Sequence, residues 1–258
     1  MNGRFLILTA SLAFFASLSP AADTPSWQKV SSTHFIVLHI GDEPLAKTVS
    51  ERAESYYSTI ATDLGYTRYQ NFWLWDNRVK ILIYPTAAAF SEACDAPAWA
   101  AGRASPQRHE IASYRQSGEG FLSDLLPHEL AHLILSDFIG ESRVPLWLTE
   151  GFSEWEQSGR KPPAAGGLMS RRFLLKTLFS MDIRRDTDRE RVSLFYAQSS
   201  SVVGFLIKTY GGDSFGSFCR ALRDGKDLAA ALAAAYPHDA PSLDTLEQKW
   251  LSPRTTGP

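Results

Sequence analysis

A chain of 258 residues with 26 lysines and arginines against 28 aspartates and glutamates carries a formal net charge of −2. That balance gives no electrostatic reason to expect a nucleic acid or an anionic membrane surface as partner. The length suits one catalytic domain of ordinary size behind an export segment, with enough chain for a sizeable core.

Residues Met1 to Ala22 read as a signal peptide: Arg4 supplies the positive end, Phe5 to Leu18 the apolar stretch, and Ser19-Pro20-Ala21 a small-residue cleavage site. The apolar run is too short to span a bilayer comfortably, so the expectation is a periplasmic or secreted protein without stable membrane insertion. Residues 23–258 are then a single catalytic domain, and an uncleaved membrane anchor is the competing reading. Export makes a Cys94–Cys219 disulfide chemically possible, and two buried thiols are equally open.

Trp27 to Val30 and His34 to Ile40 look like paired strands, with Phe35, Val37 and His39 on one face and Ile36, Leu38 and Ile40 on the other. His34 and His39 read as strand-surface residues, since nothing nearby repeats a ligand spacing. Glu43 to Leu64 is an amphipathic helix, with Leu45, Val49, Ala53, Tyr56, Tyr57, Ile60 and Leu64 at helical spacing and Gly65 as its stop. Arg78 to Tyr84 is a strand ended by Pro85, and Thr86 to Ala93 a short helix. The Ala-, Gly-, Pro- and Ser-rich segment 96–120 holds a strand at His109 to Arg115, whose lone His109 reads as solvated.

The chemistry begins at His128-Glu129-Leu130-Ala131-His132, an HExxH motif. On a helix the two imidazoles lie one turn apart on one face and reach a single Zn²⁺, with Glu129 on the flank. Leu125, Leu126, Leu130, Leu133, Ile134 and Phe138 make this helix apolar on most sides. Burying three polar side chains there without partners would cost roughly 1 to 3 kcal/mol each, and a metal satisfies both imidazoles together. With Asp124 as N-cap, Pro127 falls at the third helical position, which predicts a helix that begins late, close to the metal.

A catalytic zinc takes three protein ligands and keeps one position open. The long pattern HExxHxxGxxH is excluded, because Leu135 and Phe138 stand where Gly and His are needed. Glu150 is the better third ligand, on a second apolar helix that Pro145 helps to start. Asp137 and Glu141 are nearer carboxylates, too close to His132 to fold back onto the same ion. Gly151 inside that second helix costs about 1 kcal/mol relative to alanine, which implies close packing at that point.

HELAH followed by Pro145-Leu146-Trp147-Leu148-Thr149-Glu150-Gly151 resembles the gluzincin metallopeptidases, most closely the peptidase MA-like families with their WLxEG segment. The resemblance implies an α+β, zincin-like fold: a small N-terminal β-sheet, an active-site helix and a mostly helical C-terminal half. It implies His128, His132 and Glu150 as ligands of Zn²⁺ and Glu129 as catalytic base. Glu154 takes the place where thermolysin-like enzymes carry an aspartate that orients a ligand histidine. The strand before HExxH, here His109 to Arg115, becomes the cleft edge that pairs with extended peptide substrate. The GxMEN motif of the aminopeptidases is absent, so their exopeptidase specificity does not carry over.

Beyond the loop 158–167, helices are expected at Leu168 to Phe179, Ser193 to Tyr210, Phe215 to Leu222, Leu228 to Tyr236 and Leu243 to Leu251, with Gly211-Gly212 and Pro237 as breaks. The charged stretch from Arg184 to Arg191 reads as a solvated loop. Tyr196 is the first candidate to stabilise the oxyanion, through the resemblance, and His238 the second. The reading is an exported zinc peptidase acting on peptide or protein substrates. A zincin-like scaffold with a non-catalytic metal and a zinc amidase acting on cell-wall amides are its alternatives.

Overall fold

The computed structural model describes residues 26–65, 73–98, 100–116, 118–140, 144–163 and 171–252, so the export segment lies outside it. In Phe35–His39 (β2) and Val79–Tyr84 (β3) every second side chain is buried, the period of strands covered chiefly on one face. Gln28–Ser31 (β1) pairs antiparallel with β2, and β2 runs parallel to β3. Glu110–Tyr114 (β5) continues the parallel run beside β3, and Gly102–Ser105 (β4) turns back antiparallel along β5. The sheet order is β1-β2-β3-β5-β4.

Two sequence expectations change here. The strand expected at 109–115 is an interior strand, hydrogen-bonded on both sides; the edge is β4, whose four residues Gly-Arg-Ala-Ser lack any strand-favouring side chain. His39 is not a surface residue either. It is 2% exposed, and its Nδ1 accepts the Asp42 N–H at 3.3 Å where the chain turns into the first helix.

That helix, Glu43–Asp63 (α1), is capped by Asp42, which accepts from Leu45 N–H, and lays Ala46, Val49, Ala53, Tyr57 and Ile60 into the core. Gly65, at φ 60°, lies just beyond its end. Ala87–Cys94 (α2) covers the other face of the sheet near β5, with Phe90, Cys94 and Ala112 in a small satellite cluster. Cys219 sits in the main core, so the two cysteines are separate buried thiols with no bridge.

Leu126–Ile139 (α3) carries the HExxH motif. Its start differs from the expectation: Asp124 caps nothing, and a π-type turn over Phe121–Leu125 runs straight into α3. Leu126 N–H reaches back five residues to Phe121 O, so the backbone widens just before Pro127, which has no N–H to offer. Leu146–Gln157 (α4) follows, with Trp147, Leu148, Phe152 and Trp155 buried, each stabilising by roughly 1.5 to 3 kcal/mol.

Between α4 and the next long helix stands Leu175–Leu178 (α5); of the helix expected over 168–179, residues 168–170 lie outside the described residues, and the rest is broken at Leu174, whose backbone is extended. Arg189–Arg223 (α6) starts inside the charged stretch read as a loop, because Asp188 accepts from the N–H groups of Glu190 and Arg191. It runs in two halves joined at Gly211 (φ 81°, ψ 162°), the expected break. Leu228–Ala235 (α7) and Leu243–Leu251 (α8) complete the helical half. Among the described residues no helix is long and apolar enough to cross a membrane.

The close packing foreseen at Gly151 is against α6. A Cβ there would stand 2.7 Å from the carbonyl carbon and oxygen of Ser199, so only glycine lets α4 lie directly on that backbone.

Candidate metal centre

One turn of α3 separates His128 from His132, and their Nε2 atoms face each other at 3.0 Å. Glu150, in the first turns of α4, brings Oε2 to 4.0 Å from His128 Nε2 and 3.8 Å from His132 Nε2. One atom from each residue lies within 4.8 Å of the other two, the only such trio among the described residues. Ligands about 2.0 to 2.1 Å from a common tetrahedral ion stand about 3.4 Å from one another, so the three atoms bracket a metal-sized volume. Two neutral imidazole nitrogens facing at 3.0 Å share at most one proton, and the carboxylate stops short of both. The donor set fits a divalent ion better than it satisfies itself.

Electrostatics agree. Burial pushes His128 down to about 4, and burial together with the neighbouring His128 pushes His132 down to about 3, so both rings are neutral near pH 7. Burial pushes Glu150 up to about 7, helped by the charges of Glu154 and Glu129. Glu129 rises to about 7 by burial, opposed by a 2.7 Å hydrogen bond from Ala104 N–H to Oε2. A bound cation reverses the burial penalty on these carboxylates.

Glu129 therefore stands between α3 and the edge strand β4. Beside it opens a pocket of about 320 Å³ whose lining includes Ala104, Pro106, His132, Leu135, Val144 and Thr149. Glu154, one turn after Glu150, lies behind His128, with Oε1 3.8 Å from Nδ1. Tyr196, on the first half of α6, is pushed up to about 12 by burial and by the charges of Glu150 and Glu154. With Glu154, Lys161 and Ser193 it lines a second pocket of about 340 Å³. His238 is exposed in the turn between α7 and α8.

The other carboxylates are accounted for separately. Asp137 is not part of the cluster and is bonded instead to Trp73 and His109, and Glu141 lies outside the described residues. Sequence reading missed β4 and its Ala104 N–H; an HExxH glutamate near a sheet edge was the available signal, but no side chain marks which residue donates.

Residues 74–253, well over half of the chain and including both metal-binding helices, match the family model of the peptidase MA superfamily. The chain belongs to that superfamily. A comparison with curated proteins found no match. Membership and the His128–His132–Glu150 cluster together make this a metallopeptidase of gluzincin type.

Proposed function

We propose that the protein is an exported zinc peptidase whose base is Glu129. The observation that carries this reading is the position of the Glu129 carboxylate, held by Ala104 N–H of the sheet edge and standing beside the two imidazoles and Glu150. His128, His132 and Glu150 would hold the ion, and zinc suits two neutral imidazoles with one carboxylate. Zinc supplies a Lewis acid and lowers the pKa of water at its open position towards neutrality.

The chain's own residues do the rest. Glu129 takes the proton from the attacking water and returns it to the leaving nitrogen. Glu154 limits the rotation of the His128 ring from behind. Tyr196 O–H donates to the developing oxyanion. The pocket lined by Leu135 and Val144 admits an apolar substrate side chain next to the scissile bond. Export rests on residues 1–22 alone.

The test is metal analysis of the purified protein alongside a chelator-sensitive assay on a mixed peptide library, with purified cell-wall material in parallel. One zinc per chain and peptide cleavage are expected. Glu129→Gln should keep the zinc and lose about 10²- to 10⁴-fold in kcat. Tyr196→Phe should keep zinc and KM while kcat falls about 10²-fold. Full activity in Glu129→Gln contradicts the role of base, and zinc without cleavage of any substrate leaves the scaffold reading.

A further inference from the structure

Along α3, three contacts tie the β4 connection to the helix. At one end Gly102 lies so close to Leu125 that a Cβ would stand 2.5 Å from its Cδ2. In the middle, Ala104 N–H donates to Glu129. At the far end, beyond the 3-10 turn Pro106–Arg108, Asp137 Oδ2 lies 2.9 Å from His109 Nε2.

Residues 125, 129 and 137 share one side of a helix, spread over about 18 Å at 1.5 Å per residue. The first contact is an apolar surface that allows sliding, and the other two are directional hydrogen bonds, of which the last anchors the far end. The same Asp137 oxygen also accepts from Trp73 Nε1 at 2.7 Å. Trp73 is 1% exposed, and its ring meets the edge of His109 at 5.3 Å with an interplanar angle of 87°. His109 itself is held in the left-handed region at φ 54°, a conformation that needs outside support in a non-glycine residue.

We propose that Asp137 is a positioning residue for Glu129. By holding Trp73 and His109 on one carboxylate oxygen, it fixes the far end of the β4 connection on α3. Ala104 N–H is thereby delivered to the base, and the open strand edge is set at a constant height above the metal ligands. The carboxylate makes no contact with the ion or with substrate; it acts through two bonds and a five-residue span of chain. Only its effect on turnover rests on the function proposed above.

The experiment uses the full-length protein loaded with zinc and follows hydrogen–deuterium exchange over residues 101–106. Asp137→Ala should speed exchange at Ala104 about tenfold while zinc stays at one per chain. Asp137→Asn, which keeps an acceptor oxygen for both donors, should return exchange to the wild-type rate. With fluorescently labelled casein as probe, Asp137→Ala should lower kcat about tenfold with KM little changed, since a displaced catalytic group costs rate rather than binding. Unchanged exchange at Ala104 in the Ala variant overturns the proposal, as does an Asn variant that exchanges like the Ala variant. If Asp137→Ala does not fold, His109→Ala carries the same expectations and the same refutation. Should the wild-type protein leave casein and peptides uncut, the peptidase reading fails and the exchange comparison still decides the role of Asp137.

Discussion

Helix α4 buries acid at both ends, and the two ends solve the problem differently. Near its C-terminus, Glu156 sits in the core with Asp63 of α1, and Arg160 serves both. Arg160 donates to Asp63 Oδ1 at 2.8 Å and brings Nε to 3.7 Å from Glu156, while Trp155 donates to the second Asp63 oxygen at 3.2 Å. Near its N-terminus, Glu150 faces, among the described residues, two neutral imidazoles, and the charges that add to its rise are other carboxylates, Glu154 and Glu129. Among the described residues, one end carries its own cation and the other does not. The contrast points to the metal centre without reference to any motif: an ion from outside would complete the N-terminal group.

Removing that ion should have the largest effect. With free zinc at about a thousand times its dissociation constant, binding stabilises the folded state by about 4 kcal/mol, about 10 °C in Tm for a chain of this size. Calorimetry before and after chelation measures it, and Glu150→Gln should abolish most of the difference. An unchanged Tm on chelation breaks the contrast at once.

Next in size is Arg160→Met, which strips the C-terminal group of its cation. Breaking a buried pair costs about 3 to 5 kcal/mol, reduced to about 2 here because the Arg160 side chain is 35% exposed. Zinc affinity should not change in this variant, and chemical denaturation with a zinc titration checks both.

The smallest effect sharpens the comparison through pH. Burial holds Glu156 well above the usual carboxylate range, Asp63 adds to the rise, and Arg160 opposes it. The folded state therefore binds this proton more tightly than the unfolded chain. Its contribution is fully present below the unfolded value near 4.5 and is lost as pH rises through the raised folded value. Glu156→Gln, a permanent mimic of the protonated form, should flatten the decline of stability between pH 5 and 8 and gain about 1 kcal/mol at the alkaline end. Urea unfolding at several pH values measures the slope.

What the sequence revealed follows the range of the forces involved. HExxH, the WLxEG helix, the alternation of β2 and the stop at Gly65 are local patterns, and each stands where it was read. The packing at Gly151 was legible because a glycine inside an apolar helix needs a reason. By contrast, β4 exists through its pairing with β5 and its apposition to α3, not through its own side chains. Asp137 could be read only as a spare ligand, since its partners Trp73 and His109 lie 64 and 28 positions away. The α-helix does begin close to the metal, at Leu126, but without the expected Asp124 cap: a π-type turn closed by Leu126 N–H on Phe121 O leads into it, a pairing that the local sequence does not mark.

The seat of Gly151 on Ser199 bears on how such a centre can be altered. Glu150 is its immediate neighbour, so whatever rolls α4 about its axis also swings the third ligand. Adding a single methyl group there would press on backbone that has no freedom to yield, and the helix would turn instead. The aim of the carboxylate is thus set from behind by the smallest residue in the chain, at a position a search for polar catalytic groups would pass over.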